Sequence, residues 1–397
     1  MSISIKNFVG ANIEVLSQPV TFTGFRTTVY FASVTVNTPE IGGGNFAIVN
    51  SVEDFDNKIQ ATSAAIRQSV VEYFKNGGTS LCIVAPSVFS LDGFKADMRA
   101  VTRVVDNYFF VVFSDSVTAK SGAYSSAEIF NIANFCSGNG WSETDNKSLN
   151  TMRACFTANT TDFVTTNSLN TTLSVVKYST LVSSGDLIDA ALLVGAYFSQ
   201  VDTSTENAIQ DYNFTPESLG QNHFEDIDQT TFALLTQDAD NGYYNLIGNV
   251  ANRILNIGGD YCSPDKISIS LDFGAARIER DLDYANIELL FGKLPLTQEG
   301  QSKLIDAIRS QLVKYIDNGF LETDATYTGE TKKISYNGKQ YTIIQNGDIL
   351  PLGYKVFFVP INAISAADRS AKRFPYIYVA LQSVHGARVI QVNGSIL

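Results

Sequence analysis

The sequence predicts a mixed α/β protein in which helices and strands alternate along the chain. From Asp54 to Phe74 the apolar residues are spaced by threes, fours and a seven, which predicts one amphipathic helix. Gly77 and Gly78 then end this helix with the residue type typical of a C-cap. Residues 81–85 and 109–113 are short unbroken apolar runs, which are typical of central parallel strands. Alternating strands and helices imply βαβ units and a sheet that is covered on both faces.

The other elements of the first 260 residues follow from the same two periodicities. The first 36 residues are rich in β-branched and aromatic types and predict extended structure. The pattern then predicts helices over 94–105, 127–135, 187–198 and 243–254, and a strand over 152–156. At about 12 residues, the apolar helix at 187–198 is shorter than the roughly 20 residues needed to cross a bilayer. We therefore expect no stable insertion into a membrane.

The carboxyl-terminal third carries two clear local signals. Thr297 can cap a helix that has one apolar face, and Asn318-Gly319 ends it. The residues of that face are Leu304, Ile305, Ile308, Leu312, Val313 and Ile316. Asn337-Gly338 stands between two alternating segments and predicts a hairpin with a type I′ turn.

Composition argues against several classes of function. The chain has 397 residues, a formal net charge of −12 and a pI of about 4.7, so few cations are available to neutralise the phosphates of a nucleic acid. Its two histidines and four scattered cysteines give little material for zinc sites or histidine-dependent catalysis. The glycines at 42–44 lack the spacing of a dinucleotide-binding fingerprint. We expect no cofactor and no metal, and the lack of a secretory signal predicts synthesis in a cytoplasm.

The negative charge is unevenly distributed along the chain. Residues 201–240 contain nine acidic side chains and no Lys or Arg. The last 29 residues carry four basic side chains and no acidic ones. The acidic segment is either a solvated surface or a surface that meets a basic partner.

Two groups of carboxylates leave an enzymatic alternative open. Asp281 with Asp283, and the acidic residues at 225–228, could act as acid and base or bind Mg²⁺. Asp281 and Asp283 would share a face if their stretch were extended. Trp141 could stack on a sugar or anchor a loop. A glycan-cleaving enzyme is the less favoured hypothesis, because exposed acidic clusters are common in so acidic a chain.

The end of the chain is rich in β-forming residues. Residues 376–381 and 387–392 predict strands, and no closing element follows them. An unpaired terminal strand is an aggregation hazard unless another strand pairs with it. It is either an ordinary last strand of its own sheet or a strand donated to a neighbouring copy.

Three segments resemble contractile tail sheath proteins of phages and related injection machines. Residues 73–84, which run from a helix through Asn-Gly-Gly into a strand, resemble the helix, turn and strand found early in that family. Residues 294–300 with the helix that ends at 318–321, and residues 368–379, are similar to one sheath-like branch of phage proteins. The three segments stand in the family's order and span most of the chain.

The resemblance implies a structural protein and not an enzyme. It implies an outer α/β sandwich domain at 21–275, with the acidic insertion around 201–240, and an inner carboxyl-terminal α+β domain at 276–388. Extended β-arms at 1–20 and 389–397 would cross to neighbouring subunits and complete a shared sheet beside the inner domain. The arm residues expected at subunit contacts are Ile3, Ile5, Phe8, Val389, Ile390, Val392 and Ile396.

The resemblance also implies a function. Sheath subunits stack as a helical sleeve around a rigid tube and contract, which drives the tube through a cell envelope. The implied partners are further copies of the chain, a tail tube protein, and baseplate and tail terminator proteins, in the tail of a virion assembled in the host cytoplasm. The alternative is another tail, tube or baseplate structural protein. For the surface that faces the tube, the candidates are Lys303, Arg309 and Lys314 of the predicted helix.

Overall fold

The computed structural model describes residues 24–40, 44–118, 123–158, 169–179, 182–201, 209, 212, 245–250, 253–263, 267–291, 294–375 and 377–383. Up to residue 263, the strands of the described chain are β1 (Thr27–Phe31), β2 (Val34–Val36), β3 (Phe46–Val49), β4 (Ile59–Ala61), β5 (Ser80–Val84), β6 (Tyr108–Phe113), β7 (Arg153–Ala158), β8 (Val175–Tyr178), β9 (Val182–Ser183), β10 (Asp186–Leu187), β11 (Asn245–Val250) and β12 (Arg253–Ile257). The α-helices are α1 (Val52–Lys58), α2 (Ala64–Lys75), α3 (Leu91–Thr102), α4 (Asp115–Thr118), α5 (Ser126–Cys136), α6 (Glu143–Ser148) and α7 (Leu192–Ser199).

Eight of these strands form one sheet, in the order β12-β11-β8-β7-β6-β1-β5-β3. The six inner strands run parallel, and the edge strands β12 and β3 run antiparallel to their neighbours. Along β1, Val29 and Phe31 point into one apolar core and Tyr30 points into another, because successive side chains of a strand alternate between faces. The sheet is therefore buried on both sides. The apolar runs predicted as central strands are β5 and β6, and the mixed α/β fold is confirmed.

The single helix predicted from Asp54 to Phe74 is wrong, because the chain forms two helices separated by a strand. β4 leaves the helical path to pair antiparallel with β2, and α2 begins after the N-cap residue Ser63. The apolar spacing misled the prediction because Phe55 and Ile59 point into the same core as the apolar residues of α2. The apolar spacing reflects a buried side to which α1, β4 and α2 all contribute, and not one continuous helix. The helices predicted over 94–105 and 127–135 and the strand over 152–156 are confirmed as α3, α5 and β7.

The helix predicted over 243–254 is also wrong, because this stretch forms the antiparallel pair β11 and β12. Gly248 and Asn249 disfavour a helix here, and β11 gains backbone partners from β8, which it joins in parallel. Only the second half of the stretch at 187–198 is helical, as α7. Within the described ranges, no helix has both the length and the apolar character needed to span a bilayer.

Beyond residue 263 the described chain adds three α-helices and six strands. They are α8 (Ile269–Phe291), α9 (Gln298–Asp317), β13 (Ala325–Thr326), β14 (Lys332–Tyr336), β15 (Lys339–Ile344), β16 (Ile349–Leu350), β17 (Tyr354–Phe358), α10 (Ala366–Ser370) and β18 (Ile377–Leu381). As predicted, Thr297 caps α9, because its hydroxyl accepts a hydrogen bond from the Gly300 N–H at 3.2 Å. The β14–β15 hairpin is also as predicted. Its turn residues Asn337 and Gly338 have φ angles of 50° and 75°, and a type I′ turn requires positive φ at both.

Helix α8 contributes to two apolar cores. Its first half places Phe273 and Ala276 in the core beneath the large sheet. The opposite side of the helix places Ile278 against a smaller core, which includes Leu312 and Tyr315 of α9. The domain boundary predicted between residues 275 and 276 falls inside this helix, which contacts both cores along its length, and it remains a prediction.

One buried carboxyl group, that of Asp189, joins several elements on the side of the large sheet to which Tyr30 points. It accepts hydrogen bonds from the Tyr30 hydroxyl and from the Asp115 N–H, the latter at 2.8 Å. The Asp189 N–H donates to the Ser69 hydroxyl at 2.9 Å. Burial raises the pKa of Asp189 to about 6, and the hydrogen bonds that it accepts offset only part of that effect.

This raised pKa predicts a defined pH dependence of stability. The folded chain holds the Asp189 proton more tightly than an ordinary carboxyl group with a pKa of 3.8 does, so the group stabilises the fold most below about pH 4. That contribution is lost as the pH rises through about 6. Asp189→Asn keeps a carbonyl acceptor and does not titrate. We expect its free energy of unfolding, relative to the wild type, to rise as the pH is raised through this range. Urea denaturation at a series of pH values measures the difference, and a pH-independent difference would contradict the prediction.

Candidate assembly interface

The pair β17 and β18 is the described strand pair nearest to the carboxyl terminus. The two strands run antiparallel, with Tyr354 opposite Leu381 and Phe358 opposite Ile377. One face of the pair packs on the smaller core through its apolar side chains, which are Tyr354, Val356, Ile377, Val379 and Leu381. On the other face, the ring of Phe357 lies 6.1 Å from the ring of Tyr341 in β15. The pair is thus fixed in place by its two faces.

Both outer edges of this pair lack a third strand among the described residues. In a two-stranded ladder each strand directs about half of its backbone N–H and C=O groups towards its partner and half outward. The outward groups of residues 354–358, on β17, are a template for a further strand, and no described strand pairs with the outer edge of β18. The pair ends where Ser383 bridges to Leu321, and the rest of the chain, residues 384–397, begins there.

The sequence predicts one of these two strands but not the other. Residues 376–381 were predicted as a strand, and β18 confirms this. Its partner β17 was not predicted, although Tyr-Lys-Val-Phe-Phe after Gly353 is a β-branched and aromatic run that follows a turn residue. The residues expected on the arms, Ile3, Ile5, Phe8, Val389, Ile390, Val392 and Ile396, lie outside the described residues. So does the acidic segment at 201–240, apart from residues 201, 209 and 212.

The three basic residues proposed to face the tube all lie on the exposed side of α9. At about 100° per residue, Lys303 and Lys314 are only about 20° apart around the helix axis, whereas Arg309 is about 120° from Lys303. Lys303 pairs with Glu299 at 2.7 Å, and Arg309 lies 3.9 Å from Asp306. The Lys314 ammonium donates to the Gln311 side-chain oxygen at 2.6 Å. Lys303 and Arg309 therefore each lie beside an acidic side chain, whereas the side chain next to Lys314 is neutral.

The carboxylates considered for catalysis are not arranged as a pair, and Asp281 instead links two helices. Asp281 and Asp283 do not share a face, because the stretch is helical and residues two apart on a helix point about 200° apart. Asp281 accepts a hydrogen bond from the Tyr315 hydroxyl at 2.5 Å and lies 3.6 Å from the Arg277 guanidinium, so it joins α8 to α9. Burial, and then the neighbouring Asp281, raises the pKa of Tyr315. The acidic residues at 225–228 lie outside the described residues.

Neither Trp141 nor the cysteines form a chemical site. The Trp141 indole N–H donates to the Phe135 carbonyl at 2.7 Å, and its ring stacks on that of Phe135, so it anchors a loop. The four cysteines are buried and not disulfide-bonded, and burial raises the pKa of the Cys82 and Cys136 thiols. Among the residues that the structure describes, no three His, Cys, Asp or Glu side chains are placed to share a metal ion.

No family model matches the sequence, and no curated protein does. Solved structures resemble the fold over nearly its whole length. A chain of the anti-feeding prophage (AFP) helical sheath in the contracted state matches with a TM-score of 0.66 and 14% sequence identity, over 96% of this chain and 97% of that one. The chain has the fold of a contractile-sheath protein.

Two further structures share this sheath fold. A chain of the AFP baseplate matches with the same TM-score of 0.66, at 14% identity over 96% of this chain and 97% of that chain. A chain of the sheath complex of PVC, an extracellular contractile injection system, in its contracted state matches with a TM-score of 0.59, at 14% identity and over 96% of both chains. The fold expected from the three sequence segments is therefore confirmed.

Proposed function

We propose that the chain is the subunit of a contractile tail sheath, which polymerises as a helical sleeve around a tail tube. Contraction of the sleeve drives the tube through the envelope of a host cell. The observation that carries this proposal is the match to the AFP helical sheath, which spans 96% of this chain and 97% of that one, so both parts of the fold have counterparts in one sheath chain. The subunit is structural and has no enzymatic role in this proposal.

The outer edges of β17 and β18, with which no described strand pairs, provide the links between copies. Terminal arms from neighbouring subunits add to these edges by backbone hydrogen bonds. Such links do not depend on a particular side-chain packing, so subunits can rotate while the links persist. A head-to-tail contact that does not close on itself extends as a helix. Arm exchange thus explains how one chain can build a long sleeve that changes length.

Electron microscopy of the purified full-length protein tests the proposal directly. Long tubes or stacked rings are the expected result. A stable monomer at high protein concentration would count against the proposal, because arm exchange between identical copies requires no other component.

The tube-facing surface is proposed to be the exposed side of α9 that carries Lys303 and Lys314. We expect the double charge reversal Lys303→Glu with Lys314→Glu to weaken binding to the tube protein by about tenfold at low salt, and by less at high salt. Arg309→Glu should have a smaller effect, because its side chain lies about a third of a turn away. Co-sedimentation with preformed tubes measures the binding. Lys332→Glu with Lys333→Glu, at two exposed lysines of β14, is the control with the same change in charge. Unchanged binding of the double variant would remove α9 from the tube-facing surface.

The remaining partners follow from the same proposal. They are baseplate and tail terminator proteins at the two ends of the sleeve, which is assembled in the host cytoplasm and carried in the tail of a virion. One observation favours a second candidate, a baseplate role, because a chain of the AFP baseplate matches as well as the sheath chain does. Tubes formed by the protein alone would favour the sheath, whereas incorporation only into baseplates would favour the second role. Turnover of envelope polysaccharide that a single carboxylate substitution abolishes would instead support an enzyme.

A further inference from the structure

The strand β3 forms one edge of the eight-stranded sheet and has a different character from the open pair β17–β18. It pairs on its inner side with β5, with Phe46 opposite Val84 and Ile48 opposite Cys82. In an antiparallel ladder, alternate residues direct both backbone groups towards the partner or both away from it. Phe46 and Ile48 make their backbone hydrogen bonds on the outer side, so they are the residues that an incoming strand would have to pair with.

Three of the four outward backbone groups of Phe46 and Ile48 are bonded within the chain. The Phe46 carbonyl accepts a hydrogen bond from the Glu40 N–H at 3.0 Å. The Ile48 N–H donates to the Glu40 carboxylate at 3.3 Å, and the Ile48 carbonyl accepts from the Lys58 ammonium at 2.8 Å. One step further along, the Asn50 N–H donates to the Asp54 carboxylate at 3.2 Å. A backbone that added to this edge would have to displace each of these bonds.

The charged groups also hold one another in place. Lys58 and Asp54 form an ion pair at 3.2 Å on the same face of α1, and both side chains are more than two-thirds buried. Glu40 lies in the segment before β3, whereas Asp54 and Lys58 lie on the helix after it. The edge is therefore enclosed by side chains from both flanking segments. Charged side chains at an exposed edge are a known means of preventing unwanted strand pairing.

A chain that assembles by backbone pairing needs such a restriction. Backbone hydrogen bonds recognise an extended segment with little regard to its sequence, so a terminal arm could add to any open edge. An arm on β3 would join copies at the eight-stranded sheet instead of at the β17–β18 pair. Such a contact would end or branch the polymer, because it places the neighbour at the wrong position.

We propose that Glu40, Asp54 and Lys58 form an edge block that denies β3 to the terminal arms of other copies. These three residues thereby keep arms away from the β3 edge of the large sheet. The inference rests on the proposed function in one respect, which is that the incoming strand is an arm of a second copy. The block itself follows from the hydrogen bonds of this chain.

A peptide experiment on the full-length chain tests the edge block. The probe is a synthetic peptide with the sequence of residues 389–397. Hydrogen exchange of the backbone amides is followed by mass spectrometry with and without the peptide. In the wild type we expect no change over residues 46–50. In the double variant Glu40→Ala with Lys58→Met, the backbone groups of Ile48 are free, and we expect the peptide to slow exchange over 46–50 by about tenfold.

Two further variants separate the block from a general effect of charge. Glu53→Ala with Lys75→Met removes the same two charge types from α1 and α2, at side chains that make no hydrogen bond to β3 within the described chain. It should leave exchange over 46–50 unaffected by the peptide. Glu40→Gln with Lys58→Arg keeps one acceptor and one donor and should retain the block. If Glu40→Ala with Lys58→Met fails to fold, Lys58→Met alone frees the Ile48 carbonyl and should give a smaller slowing.

A folded open-edge variant that shows no slowing over 46–50 would overturn the edge block. The proposed function fails through a different measurement. If exchange at 354–358 and 377–381 is not slowed when the wild type polymerises, arms do not dock on the β17–β18 pair. This conclusion does not depend on the result at β3. The two failures are therefore distinguishable within one data set.

Discussion

Removal of residues 389–397 is expected to abolish polymerisation and to leave the monomer folded. The apolar cores of the described chain are formed by residues between Phe25 and Leu381, so folding does not depend on the deleted segment. Assembly does depend on it in the proposed mechanism, because the segment supplies the strand that joins one copy to the next. We expect the fraction that sediments as tubes to fall by at least about tenfold, while the circular dichroism spectrum stays unchanged. The thermal midpoint should also be unchanged when both chains are compared below the concentration at which the full chain assembles.

A single substitution distinguishes backbone pairing from apolar contact as the source of this effect. Ile390→Pro removes one N–H and cannot join a central ladder position, so it should reproduce much of the loss of assembly. Ile390→Thr keeps the N–H and the β-branched side chain, and it is the matched control. Deletion of residues 1–8 at the other end should also prevent polymerisation. Normal tubes from both truncated chains would show that arm exchange is wrong.

Phe273→Ala is expected to cause the largest loss of stability from one substitution. Phe273 is 1% exposed and lies where α8 meets the large sheet. The centroid of its ring is 4.7 Å from that of Phe198, 5.5 Å from that of Phe25 and 5.6 Å from that of Phe109. Truncation leaves a cavity that these rigid rings cannot fill, which costs about 3–5 kcal/mol of unfolding free energy. Urea denaturation followed by tryptophan fluorescence measures the loss.

Phe89→Ala is the matched control for this substitution. Phe89 is 38% exposed and contacts the ring of Tyr124 at 5.2 Å near the surface. Its side chain is only partly buried, so we expect a smaller loss of about 1–2 kcal/mol. Equal losses for the two variants would mean that the aromatic cluster around α8 does not stabilise the fold more than a surface contact does.

The elements that local signals determine were predictable from the sequence. The cap at Thr297 and the turn at Asn337-Gly338 depend on neighbours within a few residues, and both formed as expected. The apolar runs at β5 and β6 were predictable because burial on both faces demands them. The errors arose where a distant strand decides the outcome. β4 exists because β2 lies beside it, and β11 because β8 does.

The candidate assembly surface was predictable only in part, for the same reason. A β-rich carboxyl-terminal segment can be recognised by composition, but the edge on which it would dock is a property of the folded sheet. The edge block is less visible still, because Glu40 and Lys58 are 18 residues apart in the sequence. Their common role appears only when the loop before β3 and the helix after it enclose the same strand.

In the proposed contractile sleeve, the continuity of α8 has a mechanical consequence. The helix is 23 residues long, or about 34 Å, and is pinned near one end by the Arg153–Asp272 pair and further along by the Asp281–Tyr315 hydrogen bond. A torque applied at the small core is transmitted along this rod to the large sheet with little bending. The work of shortening would then reside in the couplings between copies, and each subunit would act as a stiff lever.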